Sequence, residues 1–302
     1  VGEGNVWSAQ GLLHGYAATG TDGAPSFNNI SGIQKFNFAN TDSVSDIGSL
    51  AVGKQAANAG TQDRTNGFVA GGYISAGTSG IAKFNFAGTF ATSDHGNLTS
   101  ITFNAAGFSS RTDGYTCGGT VPGSYSTKID KFNFVSNTTA ASHGAIVAGT
   151  DGPTGNVQTL HYGYVAGGYV SAKTDTVQRF AFSSNGTAHD VANLTAARSH
   201  GGGFSSTVAG YAGSGAIGVS AVASVDKILF ASDSSCSDIG DLANVAIRPT
   251  GHSSTTNGYI AGGGNATEVG QTNINTVAFS NDARSTHGNL GTGTYSAAGI
   301  HN

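Results

Sequence analysis

Methionine is absent from this 302-residue sequence, tryptophan occurs once, at Trp7, and there are only 4 prolines and 2 cysteines. Charged residues make up just 10% of the chain. Each scarcity removes a class of protein. A chain so poor in Lys, Glu, Arg and Met lacks the strong helix formers that a helical bundle needs. A formal net charge of −4 and a pI near 6.1 supply no basic field, so nucleic acid and anionic lipid are not expected partners. No apolar run approaches the roughly 20 residues of a membrane helix, and Val1–Leu13 lacks the charged-then-apolar order of a secretory signal, so no membrane insertion is expected. Cys117 sits in an apolar stretch and Cys236 in a polar turn; they read as one buried and one exposed thiol, with no cofactor chemistry attached.

What the chain does have is 48 glycines, abundant Ser, Thr and Asn, 16 Phe and 10 Tyr. Gly- and Ser-rich chains are often too poor in apolar surface to fold. Here, however, the aromatics recur at fixed intervals. Ile33-Gln-Lys-Phe-Asn-Phe38 returns as Ile81–Phe86, Ile129–Phe134, Val177–Phe182, Val225–Phe230 and Ile274–Phe279, advancing by 48 residues each time and by 49 at the last step. A buried-type aliphatic follows in register at Leu50, Leu98, Ile146, Leu194, Leu242 and Leu290. A second anchor, Gly plus an aromatic, stands at Tyr16, Phe68, Tyr115, Tyr164, Tyr211 and Tyr259, and runs into Gly71-Gly72, Gly118-Gly119, Gly167-Gly168 or Gly262-Gly263 in four units. Six copies of both anchors mean six units.

Each unit reads as four short strands separated by turn residues. In Ile129–Phe134, alternation puts Asp130, Phe132 and Phe134 on one face, and Lys131 and Asn133 on the other. A Gly-Ala-rich strand such as Gly201-Gly-Gly-Phe204 is weak unless something approaches it closely, as inner strands crowding one axis would. Nowhere do apolar residues recur at helical spacing over a useful length. The reading is therefore all-β: a six-bladed β-propeller in one domain spanning 1–302. A β-solenoid is the competing arrangement, although its coils repeat over shorter intervals. Six units of 48 leave a surplus of 14 residues, and Ser8-Ala-Gln-Gly-Leu12 and Ser296-Ala-Ala-Gly-Ile300 both look like the innermost strand. The segments 1–14 and 289–302 are thus overlapping closure strands: one completes the ring, and the other is spare for an edge or a neighbouring subunit.

The Gly doublets and the spacing resemble Kelch repeats, which are near 50 residues long. Leu194-Thr-Ala-Ala-Arg198-Ser-His-Gly201 is similar to the Kelch approach to the innermost strand, and Arg248 is a looser match, while the outer-strand Kelch Trp is missing from every unit. In texture the chain also resembles Gly-aromatic-x-x-Gly-Gly repeat proteins of marine and cyanobacterial tailed phages. That resemblance implies an extracellular or virion location, a structural or host-binding role, and as partners other virion or filament proteins or a host-surface glycan or receptor.

No residue pattern singles out catalysis or a metal. His95, His143 and His287 share one repeat position that Ile47, Val191 and Ile239 fill elsewhere, which reads as a half-buried strand site spread around a ring rather than an ion site. Thr92-Ser-Asp94-His-Gly96 resembles a sialidase Asp box but lacks its closing aromatic. The Gly-rich stretches precede no helix that could hold a phosphate. Lys35, Lys83, Lys131, Arg179 and Lys227 recur too regularly for a single site and read as a solvated stripe or an inter-blade contact. Variation concentrates in the loops between second and third strands, where Tyr73, Tyr125 and Tyr169 lie on successive blades; these are the candidate binding residues at one rim. The expectation is a non-enzymatic structural or adhesion module, homo-oligomeric if the spare strand pairs, with a glycan-active enzyme as the alternative.

Overall fold

A computed structural model of the chain describes residues 10–41, 44–51, 59–87 and 92–302. Among them every regular element is a strand; six sheets share one four-strand antiparallel plan, Gly186–Thr187 adds a short parallel fifth strand to one of them, and Thr120–Val121 with Ser124–Tyr125 and Ala216–Ile217 with Ser220–Ala221 form two small separate hairpins. From the innermost strand outward, the first blade is Ala298–His301, His14–Ala18, Gly32–Asn37 and Val44–Ser49. The second is Ala59–Gln62, Asn66–Ala70, Gly80–Asn85 and Thr92–Asn97; the third is Ala106–Ser109, Asp113–Cys117, Lys128–Asn133 and Ala141–Ala145. The fourth is Thr154–Gln158, Tyr162–Ala166, Thr176–Ala181 and His189–Asn193; the fifth is Gly202–Ser205, Ala209–Gly213, Ser224–Leu229 and Ser237–Asp241. The sixth is Thr250–Ser253, Asn257–Ala261, Gln271–Ala278 and Arg284–Thr294. Each innermost strand touches the innermost strands of both neighbouring blades, so the ring is closed and the architecture is a six-bladed propeller.

The repeated residues explain this packing. The second-strand aromatic of each blade stacks on the last Phe of the next blade's third strand: Tyr16 on Phe86, Phe68 on Phe134, Tyr115 on Phe182, Tyr164 on Phe230, Tyr211 on Phe279 and Tyr259 on Phe38, with centroids 4.7–5.5 Å apart. Five of these are stacked and the Tyr164–Phe230 pair is tilted by 35°; aromatic pairs of this kind add about 0.5–1.5 kcal/mol each beyond the area they bury. The aliphatic that follows, from Leu50 to Leu290, is buried in every blade. At the axis a ring of glycines, Gly60, Gly107, Gly155, Gly203, Gly251 and Gly299, lets the innermost strands touch backbone to backbone. A Cβ on any of them would stand 2.0–2.8 Å from the backbone of the preceding ring member. This is the close approach that the weak Gly-rich strand implies.

The doublet after the second strand is a pair of left-handed residues in all six blades, including Thr19-Gly20 and Ser214-Gly215, where the glycine motif is incomplete. Only such residues turn the chain sharply enough for the second backbone N–H to reach the loop leading to the next blade, as Gly168 does to Arg198 O at 2.8 Å.

Closure decides between the two terminal segments. The C-terminal Ala298–His301 takes the innermost place, paired with His14–Ala18. The sequence 8–12 therefore has no vacant strand position to fill, and its first residues lie outside those described. Gln10 and Gly11 instead cross the lower end of the axis, where Gln10 Nε2 donates to Ser205 O at 3.2 Å and Gly11 N to Ser253 O at 2.7 Å. Beneath the glycine ring, inner-strand N–H groups are satisfied by the next blade's side chain: Gln62 N by Ser109 Oγ, Ser109 N by Gln158 Oε1, Gln158 N by Ser205 Oγ, and Ser205 N by Ser253 Oγ, at 2.8–2.9 Å. The lower axis is thus filled by polar side chains and capped by the N-terminal segment, so access to the axis is from the upper face.

Candidate functional site

The upper face carries the loops between second and third strands and the starts of the innermost strands. Just before those strands, at steps of 48, stand Asn104, Gly152, His200, Arg248 and Ser296, all left-handed with φ between 54° and 64°. The last four each donate a backbone N–H to the carbonyl of the one before: Gly152 to Asn104 at 3.0 Å, His200 to Gly152 at 2.6 Å, Arg248 to His200 at 2.8 Å, and Ser296 to Arg248 at 3.2 Å. This lacing forms the collar of an axial cavity of about 60 Å³, lined by Asn104, His200, Arg248, Asn156 and the inner-strand glycines. Its floor is Asn156, itself left-handed, whose Nδ2 spans the axis to donate to Gly251 O and Gly299 O at 3.2 Å each.

The collar holds an electrostatic cluster drawn from several blades. Asp151 accepts hydrogen bonds from Thr120 Oγ1 at 2.6 Å and Asn104 Nδ2 at 2.8 Å, and its other carboxylate oxygen lies 3.3 Å from His200 Nε2. Burial alone would raise the Asp151 pKa; its contacts with His200, Thr120 and Asn104 outweigh that and hold the carboxyl below the ordinary range. Burial, reinforced by the Arg248 charge, lowers the pKa of His200, so this imidazole is neutral at pH 7. The Arg248 guanidinium lies 5.3 Å from the centre of the Tyr295 ring, and the Tyr295 hydroxyl donates to Glu268 Oε1 at 3.0 Å. A left-handed Arg is unusual, and strain of this kind costs on the order of 1–3 kcal/mol and collects at functional sites. Sequence reasoning missed this collar as a site, although its five positions keep the 48-residue step.

Of the rim tyrosines, Tyr125 and Tyr169 come together: their rings meet edge to face at 5.9 Å, with 39% and 36% of the residues exposed. Tyr169 pairs through its backbone with Asp151, which puts this rim beside the collar. Tyr73 does not join them; its ring packs on Phe103 at 5.6 Å and is half-buried. Val170 and the hairpin-tip Val219, on loops of the fourth and fifth blades, are exposed as well.

The remaining candidates are structural. His95, His143 and His287 each present Nε2 to a third-strand carbonyl of the next blade, at Asn133, Ala181 and Asn37, at 2.8 Å in every case. A carbonyl only accepts, so Nε2 carries the proton. Among the described residues no cluster of His, Cys, Asp or Glu could hold a metal. The basic stripe includes inter-blade contacts: Arg179 pairs with Asp233, and Lys227 Nζ lies 2.7 Å from Asp282. Lys131 pairs within its own blade, with Asp113 at 3.4 Å. Arg198, set two repeat positions before Arg248, is fully buried and clamps Asp226 at 3.2 Å. Both cysteines are free thiols, and burial drives up the pKa of each.

No protein-family model matches the chain, and no curated protein matches it. Among solved structures it is similar to that of YjhT, at 14% identity and a TM-score of 0.75, with 92% of this chain and 95% of that one covered. A likeness this remote in sequence extends to the fold, and the chain shares with YjhT a six-bladed β-propeller architecture.

Proposed function

We propose that this propeller is a non-enzymatic recognition and scaffold module that binds a surface glycan or receptor through the rim of its upper face. One observation carries the reading: Tyr125 and Tyr169, on loops that vary while the strands repeat, expose two rings in mutual contact on adjacent blades. Paired exposed tyrosines offer a rigid, amphipathic surface that suits sugar faces and protein contacts alike. The resemblance of the repeats to Kelch units and to phage repeat proteins supports an extracellular or virion setting, with a fibre, decoration or host-binding role.

Binding of the purified chain to host-cell polysaccharide tests this. Tyr125→Ala combined with Tyr169→Ala abolishes binding, whereas Tyr73→Ala leaves it intact, because the Tyr73 ring packs on Phe103. Undiminished binding by the double variant overturns the rim reading. The contact between Asp151 and His200 favours a second reading, a glycan-active enzyme working at the collar; turnover of a polysaccharide, lost in His200→Gln, would establish it.

A further inference from the structure

We propose that the axial collar is a second binding site, separate from the tyrosine rim, that takes a small hydroxylated carboxylate with Arg248 as its cationic anchor. Arg248 lines the cavity with no carboxylate within 4 Å among the described residues; its guanidinium lies over the Tyr295 ring and acts electrostatically on His200. The acid of the collar, Asp151, is already committed to Thr120, Asn104 and His200 and makes no ion pair with Arg248. A half-buried guanidinium without a counter-ion is costly, and a planar carboxylate is its natural partner.

The hydroxyl requirement comes from the other wall. Asn104 Oδ1 and Asn156 Oδ1 are buried and have no hydrogen-bond partner, although both residues line the cavity. The Nδ2 atoms of both amides are engaged, Asn104 with Asp151 and Asn156 with two carbonyls, so the orientation that leaves each oxygen unpaired is set by those bonds. An unpaired buried acceptor needs a donor. A bare carboxylate has none to give at pH 7; a carboxylate bearing a hydroxyl satisfies the guanidinium and an amide oxygen together. The left-handed backbone is common to Asn104, Gly152, His200, Arg248 and Ser296, and nothing in the lacing of backbone bonds calls for an arginine at 248.

This site does not depend on the rim reading. The test titrates the full chain with glycolate, with acetate and with sodium chloride at matched ionic strength, following amide chemical shifts by NMR. Glycolate gives a saturable response in residues around the collar; acetate binds at least about tenfold more weakly, and chloride gives no saturable response. Arg248→Gln weakens glycolate binding by about tenfold or more, while Tyr125→Ala with Tyr169→Ala leaves it unchanged. Should Arg248→Gln fail to fold, Arg248→Lys, which keeps the charge without the planar fork, is read instead and weakens binding several-fold. No saturable glycolate response, equal affinity for acetate, or an unaltered arginine variant overturns the proposal.

Discussion

Tyr259 stacks on Phe38 with ring centroids 4.7 Å apart and donates its hydroxyl to Phe38 O at 3.0 Å, across 221 residues of chain. This pair joins the sixth blade to the first, and it repeats the Tyr115–Phe182 contact between the third and fourth blades, where the hydroxyl also reaches the Phe carbonyl at 3.0 Å. The interface between the last blade and the first is therefore built like the others.

Truncating Tyr259 to Ala removes a fully buried ring and is expected to cost about 3–5 kcal/mol. Tyr259→Phe loses only the hydrogen bond, about 0.5–1.5 kcal/mol. Urea denaturation of the two variants checks the ordering; equal losses would mean that the hydroxyl, and not the stack, holds the seam.

The axial glycines make a sharper test. A Cβ on Gly203 would stand 2.0 Å from Gly155 O, a backbone atom with no room to withdraw, whereas a Cβ on Gly186 meets nothing within 4 Å. Gly203→Ala is expected to destabilise by more than about 4 kcal/mol, beyond the ordinary range of point mutants, and Gly186→Ala by less than about 0.5. Thermal unfolding of the two, followed by circular dichroism, separates them.

The parts of the fold that were legible in the sequence are those where every blade solves the same problem with the same residue. The aromatic after Gly and the following Leu or Ile are buried in all six units, and the Phe that ends the third strand is buried in four and partly buried in the other two, so they keep a period. The collar was not legible because its backbone conformation repeats while its side chains do not: Asn104, Gly152, His200, Arg248 and Ser296 share a φ and little else. Its chemistry assembles only when blades distant in sequence converge on the axis. Which of the two inner-strand look-alikes closes the ring was not legible either, because 8–12 and 296–300 offer the same kind of small residues and only the fold shows that Ala298–His301 takes the place. Tyr73 keeps the spacing of a rim residue but finds Phe103 to pack on, a contact that loop sequence alone does not reveal.

The three strand histidines behave as inter-blade staples whose place aliphatic residues take elsewhere, at Ile47, Val191 and Ile239. His143→Ile keeps the bulk but takes the donor away from Ala181 O, and is therefore expected to cost about 1–3 kcal/mol. His143→Ala empties the site under Tyr115 and costs about 2–5 kcal/mol, in line with other core truncations. Chelators leave the melting temperature of the wild-type chain unchanged. A drop in melting temperature with chelator, or an Ile variant as damaged as the Ala variant, would restore a metal role for these residues.

His252 makes stability depend on pH. It is completely buried, and desolvation pushes its pKa down to about 3, opposed by its bond to Ile300 O at 2.9 Å and helped slightly by His301. In the unfolded chain the same imidazole titrates near 6.5. Between those values the unfolded state binds a proton that the folded state refuses, so the contribution is fully present above about pH 6.5 and is lost progressively as pH falls toward 3. A single such group gives a slope of about 1.4 kcal/mol per pH unit. His200 is displaced in the same direction by burial and adds to the loss. The sister blades carry Phe108 and Phe204 at the His252 position, each opposite the second-strand tyrosine as His252 is opposite Tyr259. His252→Phe accordingly lowers stability at pH 7, because Ile300 O loses its donor, by about 1–3 kcal/mol. It also flattens the decline between pH 6 and pH 4 by about one proton's worth of slope. Urea midpoints measured across that pH range for both proteins decide the matter: converging curves are expected, and parallel ones would assign the acid sensitivity to other groups.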